Sequence, residues 1–421
     1  MNEQPLEKYA NSLGSEARQA GRKLAVTSGA QRNQALRAIA TALRAQADTL
    51  MSANAKDLAD AKKNKLTSAI IDRLGIDPDR VEKMARAVDE VANQPDPVNE
   101  LIAGWVRPNG LRIEKRRVPI GVVAIIYEAR PNVTSDAAAL CIKSANACIL
   151  RGGKESFHSN MAIGKVIADA LVEADLPEKA VQIVDTTERA LVPILLRQEG
   201  NIDLVIPRGG ESLIRTVVEQ SSIPVIKHYT GNCHVYVDAG CPLELAESVI
   251  LNAKTQRPGV CNAAESILFH RDIARQYIPA VGRKLVDAGV EIRGCKQTQE
   301  LLPDAKPATD KDYAAEYLDL IVSVKVVDSL AEAIEHINKY GSHHTDAILT
   351  HDIRAAEAFT AGVDSGNVMV NCSTRFSDGC EYGLGAEIGI STDKLHARGP
   401  MGAADLTTYK WIVAGYGHLR Q

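Results

Sequence analysis

The chain has 421 residues, a formal charge of −4, 45% hydrophobic and 24% charged residues, and only 4% aromatics. That length implies two or three domains with cores of Ala, Val, Ile and Leu, and the composition excludes disordered and fibrous classes. Near-balanced charge argues against nucleic-acid and membrane-surface functions, and eight cysteines without a C-x-x-C pair read as reduced thiols of a cytoplasmic protein.

Residues 1–100 read as helix after helix. In QRNQALRAIATALRAQADTLMSANAKDLADA the apolar positions Leu36, Ile39, Ala40, Leu43, Ala47 and Leu50 recur at helical spacing among good helix formers. A second amphipathic helix is predicted over 78–93, stopped by Pro95 and Pro97. These helices read as a packing layer. The segment 105–119, WVRPNGLRIEKRRVP, sets Asn109-Gly110 between alternating stretches, a strong hairpin signal. Its Arg112, Lys115, Arg116 and Arg117 lack interleaved aromatics, so it reads as a solvated or oligomer-facing hairpin rather than a nucleic-acid patch.

From residue 120 apolar runs alternate with helical segments. Gly121–Tyr127 (GVVAIIY) is apolar on both faces, as a buried parallel strand requires. Cys148–Leu150 leads through Arg151-Gly152-Gly153 to a helix over 157–174, and Val181–Val184 precedes a helix over 188–198. Asp203–Ile206 leads through Arg208-Gly209-Gly210 to a helix over 211–219. Strand–helix units at this spacing predict an open, doubly wound parallel sheet of nucleotide-binding type. The second half predicts another α/β domain, with helices over 243–255, 272–287, 329–340 and 352–361. Its strands are expected over 265–269, 317–327, 345–350 and 367–371. Strand-like residues over 406–414 can pair with the hairpin.

Two glycine turns, Arg151-Gly152-Gly153-Lys154 and Arg208-Gly209-Gly210-Glu211, lie at carboxyl ends of strands and open helices, where a phosphate docks on free N–H groups. Among the thiols, Cys261 stands apart in the loop Gln256-Arg257-Pro258-Gly259-Val260-Cys261-Asn262-Ala263, where Arg257 would favour a nucleophilic thiolate. These residues alone leave a nucleophile and a buried thiol both open. Cys141 and Cys148 read as core, Cys295 lacks a polar partner nearby in sequence, and Cys233, Cys241, Cys372 and Cys380 have no zinc-like spacing. Asn132, after the 121–127 strand, is either an oxyanion donor or a turn former. His343-His344 reads as an exposed turn, and no metal site is expected.

The order PIGVVAIIYEARPN, ILRGGKES, IPRGGESLI, QRPGVCNAAE and a Glu316-led strand resembles the aldehyde dehydrogenase superfamily over nearly the whole chain. More narrowly, YEARPNVTSDAAALCIKSANACILRGGKE, IPVIKHYTGNCHVYVD, AKTQRPGVCNAAE, NVMVNCSTRFSDGCEYGLGAEIGIST and KLHARGPMGAADLTTYKW resemble the γ-glutamyl phosphate reductase family, also called glutamate-5-semialdehyde dehydrogenases. No amino-acid kinase region precedes them, so the stand-alone form is expected.

The resemblance implies an α/β, aldehyde dehydrogenase-like fold with a Rossmann-type cofactor domain (1–104 and 120–232), a catalytic domain (233–395) and a small oligomerisation element (105–119 and 396–421). It implies Cys261 as nucleophile and Asn132 as oxyanion donor, partnered by the Cys261 backbone N–H. It places Arg151 near the adenosine ribose, Gly209 and Gly210 under the pyrophosphate and Glu316 on the nicotinamide ribose, with Gly152 also among the cofactor-binding residues. Lys154 falls where NAD-preferring relatives carry a ribose-binding Glu, which favours NADPH over NADH. One departure is that His228 stands where hydrolytic relatives carry a general-base Glu, as suits release of an acyl group to phosphate. Arg130, Arg257, Arg375 and Arg398 are the candidates for the phosphate and α-carboxylate of an acyl phosphate substrate. A homo-oligomer is expected, and the lability of an acyl phosphate motivates transient contact with the upstream glutamate 5-kinase.

Overall fold

The computed structural model describes residues 3–420; residues 1, 2 and 421, at the outer ends of the expected cofactor and oligomerisation segments, lie outside them. The chain divides into two compact units, Met1–Lys227 with Gly383–Gly389 and Met401–Gln421, and His228–Tyr382 with Ile390–Pro400. No helix among the described residues is long and apolar enough to cross a membrane.

The first unit opens with helices Glu3–Leu24, Gly29–Ala45, Ala47–Lys63, Ser68–Leu74 and Pro78–Asn93. Their starts follow from the residues. Ser28 and Gln31 form a capping box, and Asp77 caps a helix whose first position is Pro78. Four parallel strands follow, with Val122–Tyr127 between Ala147–Arg151 and Leu204–Arg208, and Val181–Ile183 beyond Ala147–Arg151. In chain order the sheet reads 3-2-1-4, the arrangement of a Rossmann half, and its switch point falls between Val122–Tyr127 and Leu204–Arg208. Val122, Ala124, Ile126, Ile149 and Val205 form its core with Ala10, Leu13 and Ala17 of the first helix. Asp203 anchors the strand starts, accepting from Arg18 at 2.7 Å and from the Val122 N–H at 2.8 Å.

Leu101–Val106, Arg112–Pro119 and Thr407–Ala414 form a separate antiparallel sheet, as the Asn109-Gly110 hairpin and the strand-like tail predicted. Its cations are answered locally. Arg116 meets Glu114 and Arg117 meets Glu100, each at 2.7 Å, and Lys115 lies 3.6 Å over the Tyr409 ring.

The second unit is built on seven parallel strands, in spatial order Lys306–Pro307, Glu291–Gly294, Ile321–Val327, Ala264–His270, Cys233–Val237, Thr345–Leu349 and Asn367–Val370. Val235, Ile267, Val322 and Ala347 from four of these strands pack on Ala246, Ile250 and Ile278 of the covering helices.

The structure departs from the periodicity reading in places. The helix expected over 188–198 is only Leu191–Leu195, because Arg197 and Gln198 bond back to Ile194 and Leu195 in tighter three-residue turns. The strand expected over 317–327 begins at Ile321; Leu318, at φ 54°, breaks the extended run, so Glu316 precedes the strand rather than leading it. Helix Asn132–Lys143 and strand Cys233–Val237 were not read from the sequence.

Candidate active site

Helix Leu243–Thr255 and strand Ala264–His270 are joined by the loop that carries Cys261. A Cβ on Gly231 would lie 2.0 Å from the Cys261 carbonyl oxygen, so glycine is what lets the His228–Gly231 segment pack onto this loop. The Cys233 thiol donates to the same carbonyl at 3.1 Å, and the Asn262 amide donates to the Ser377 carbonyl at 2.8 Å. Cys261 is half-buried on this fixed backbone, whereas Cys141, Cys148, Cys233 and Cys241 are buried. Cys295 does have a nearby partner, Thr298 Oγ1 at 3.3 Å, and burial pushes the Cys372 thiol up.

An ion pair at the base of the loop was invisible in the sequence. Lys254, near the end of the helix, meets Glu265, at the start of the strand, at 2.6 Å with both side chains wholly buried. Burial pushes Glu265 up to about 7 and Lys254 below the usual amine range, and each partner opposes the other's shift. Glu265 also accepts the Leu318 N–H at 3.1 Å, and the charge of half-buried Glu316 raises it further. The segment bearing Glu316 is thereby fastened to the base of the Cys261 loop.

The histidines differ from expectation. His344 is buried, not in an exposed turn; His343 takes the turn conformation at φ 60°. One nitrogen each of His228 and His344 lies with the Cys261 sulfur in a group whose atoms are all within 4.8 Å of one another. His344 reaches this place because strand Thr345–Leu349 pairs beside Cys233–Val237, a long-range register that local sequence does not encode.

Of the candidate arginines, Arg375 is half-buried and its Nε donates to Gln256 at 2.8 Å. Burial and neighbouring Arg257 pull it down from the usual guanidinium range, while the Cys261 sulfur acts the other way. Arg257 is exposed. Arg398 is tied to Asp364, at 2.9 Å to the carboxylate and 3.0 Å to the carbonyl, which makes it a structural partner. Arg130 is exposed between strand Val122–Tyr127 and helix Asn132–Lys143.

In the first unit, both glycine turns sit at carboxyl ends of the sheet. The turn after Ala147–Arg151 rests on a buried network in which Tyr127 meets Thr134 at 2.7 Å, Thr134 meets Asn160 at 3.0 Å and Asn160 meets Ser156 at 3.0 Å. A Cβ on Gly152 would fall 2.0 Å from the Asn160 amide, so packing already requires that glycine. Arg151 donates to the carbonyls of Gly152 and Thr187 at 3.1 and 3.3 Å, and its Nε is buried with no hydrogen-bond partner among the described residues. Burial and the charge of exposed Arg189 pull Arg151 down, and Lys154 is exposed beside it. Glu155 answers part of this charge, and the Arg151 Nε donor fits an anionic ligand. At the switch point the Glu128 carboxylate accepts the Gly210 N–H at 3.0 Å, and a Cβ on Gly209 would lie 2.6 Å from it.

Asn132 opens helix Asn132–Lys143, and its side-chain amide donates to Asp136 at 2.9 Å. Burial pushes Asp136 up to about 6, against the Asn132 hydrogen bond and the Arg208 charge. Sequence reading missed Asp136; its spacing of four from Asn132 on a helix was the available signal.

The family description "Aldehyde dehydrogenase family" matches residues 7–294. The chain belongs to the aldehyde dehydrogenase family. Within the family it is 52% identical over 408 residues to a γ-glutamyl phosphate reductase of Moorella thermoacetica, covering 97% of this chain and 98% of that one. It is 53% identical over 409 residues to the enzyme of that name from Carboxydothermus hydrogenoformans, covering 97% and 99%. The crystal structure of γ-glutamyl phosphate reductase from Thermotoga maritima superposes with a TM-score of 0.95 at 44% identity, over 98% of this chain and 100% of that one. The α/β aldehyde dehydrogenase-like fold expected from the motifs is thus borne out.

Proposed function

We propose that this chain is an oxidoreductase of proline biosynthesis that reduces L-glutamyl 5-phosphate to L-glutamate 5-semialdehyde and releases phosphate, with NADPH as reductant. The observation that carries this reading is the Cys261 site. A half-buried thiol stands on a well-packed loop with a nitrogen each of His228 and His344 near its sulfur, and by family resemblance His228 falls where hydrolytic relatives carry a Glu base.

Cys261 attacks the acyl carbon as a thiolate, and the phosphate leaves with the electrons of the broken C–O bond. Oxyanion charge at this tetrahedral stage is held by the Cys261 backbone N–H and, by family resemblance, by the Asn132 amide. Reduction of the resulting thioester gives a thiohemiacetal, which collapses to the aldehyde and regenerates the thiolate. When bound, the nicotinamide cofactor supplies the hydride. Arg151, Gly152, Lys154, Gly209, Gly210 and Glu316 are the residues that would hold it. The unanswered Arg151 Nε and the neighbouring Arg189 and Lys154 support an extra phosphate on the ribose, hence NADPH. Arg257 and Arg375 are the best candidates for the substrate's anionic groups, because half-buried Arg375 is near enough to feel the charges of both Arg257 and the Cys261 sulfur, with Asp378 answering part of its own. A cytoplasmic homo-oligomer that takes its labile substrate from a glutamate 5-kinase belongs to the same reading.

In the test, the protein coupled to a source of glutamyl phosphate oxidises NADPH in preference to NADH. Cys261→Ala abolishes turnover while leaving the melting temperature and NADPH binding unchanged. Retained turnover in Cys261→Ala contradicts the reading.

A further inference from the structure

The group formed by His228, His344 and Cys261 has a property that the reduction does not require. The two imidazole rings meet edge to face with centroids 5.4 Å apart, and an oxygen acceptor lies within reach of Nδ1 of each. His228 Nδ1 lies 2.8 Å from the Ile390 carbonyl. A carbonyl only accepts, so the neutral ring carries its proton on Nδ1 and its lone pair on Nε2. His344 Nδ1 lies 2.9 Å from Thr345 Oγ1, and that hydroxyl gives its own proton to Ser377 Oγ at 2.8 Å. Thr345 therefore accepts from Nδ1, and the His344 lone pair is on Nε2 as well. Imidazoles whose Nδ1–H is held by an oxygen, with Nε2 turned into a ligand, are how proteins orient histidines on metals.

We propose that His228, His344 and Cys261 bind one Zn2+ ion, which caps the Cys261 sulfur reversibly and silences it as a nucleophile. Two imidazoles and a thiolate are a donor set suited to zinc. Tetrahedral zinc, with bonds of about 2.0–2.1 Å to nitrogen and 2.3 Å to sulfur, puts neighbouring donors roughly 3.3–3.6 Å apart. The atoms here lie within 4.8 Å of one another, so closure needs a shift of little more than about an ångström. The fourth position is left to solvent. Binding replaces the thiol proton by the metal: one proton is released, a Zn–S bond forms, and no electron is transferred. The inference rests on this geometry and not on the identity of the substrate.

The test uses the full chain freed of metal with EDTA. ZnCl2 titrated against a chromophoric chelator should bind at one equivalent per chain. CoCl2 should give tetrahedral d–d bands with a near-ultraviolet sulfur-to-cobalt charge-transfer band. Zn2+ should block alkylation of Cys261 by iodoacetamide, located by peptide mass, and EDTA should restore it. Cys261→Ser should lose the charge-transfer band, and His228→Gln and His344→Gln should each weaken zinc binding by more than about tenfold. Metal-free melting curves check the fold of each variant; if buried His344→Gln does not fold, half-buried His228→Gln decides. No stoichiometric binding to the wild type overturns the proposal, as does wild-type affinity in Cys261→Ser or His228→Gln, or alkylation indifferent to zinc. None of these readouts uses glutamyl phosphate, so failure here is separable from failure of the assigned activity.

Discussion

Asn132 has two amide protons, and one is committed to Asp136 at 2.9 Å. That bond fixes the amide plane, and in the proposed reaction it leaves the second proton for the developing oxyanion and gives Asp136 a positioning role. Asn132→Ala should lower kcat by about 10²–10³-fold, the usual loss for one oxyanion donor. Asp136→Ala should lower kcat less, with KM nearly unchanged, because the donor is retained but no longer held. Steady-state kinetics of both variants check this; an Asp136→Ala effect confined to KM would contradict it. At this scale the sequence singles out Cys261 and Asn132, since each stands in a motif with a chemical reason attached. His344 is not singled out. Its neighbours in sequence, Ser342 and His343, suggest a turn, and the contact that gives it meaning is with a loop more than eighty residues away.

The elements around Cys261 are held by close approach more than by propensity. A methyl group on Gly231 would collide with backbone, the Cys261 carbonyl at 2.0 Å, and backbone cannot swing aside as a flexible side chain can. Gly231→Ala should therefore cost about 1–3 kcal/mol in denaturant unfolding, the typical penalty of overpacking. It should also change the rate of Cys261 alkylation, because the nucleophile loop is what must move. Wild-type stability together with wild-type alkylation would contradict this account. Helix Pro78–Asn93 was readable because its apolar stripe and the prolines that stop it, Pro95 and Pro97, are local in the sequence. Strand Cys233–Val237 was not. His234 within it is paired through Nδ1 with Asp346 of the neighbouring strand at 2.9 Å, a fully buried pair that only long-range register brings together. Glu316 was misplaced for a similar reason, since the turn at Leu318 is set by Glu265 rather than by local composition.

Across the molecule, pH acts through buried groups whose ionisation changes on folding. His336 is packed among the rings of His234, Tyr313 and Tyr340, and burial, with the nearby charges of His234, Lys325 and Lys339, pulls it down to about 3. An unfolded histidine titrates near 6.5, so below that pH the unfolded chain binds a proton that the folded chain refuses. The His336 contribution to stability is complete above about 6.5 and is lost as pH falls toward 3, at roughly 1.4 kcal/mol per pH unit within that window. His336→Phe should flatten the fall in unfolding free energy between pH 6.5 and 5 by about that slope; parallel curves for the two proteins would contradict it. The architecture was largely legible from the sequence, because strand–helix alternation, the hairpin turn and the paired tail are written locally, whereas the order of the seven-stranded sheet depends on long-range pairing. The central claim is that the acyl group carried by Cys261 is exchanged with phosphate and not with water or a thiol carrier. The most direct measurement is the reverse reaction, in which L-glutamate 5-semialdehyde and NADP+ are supplied with and without inorganic phosphate and NADPH formation is followed. The account predicts NADPH formation that rises with phosphate and vanishes without it; phosphate-independent turnover, or turnover that requires coenzyme A, would contradict it.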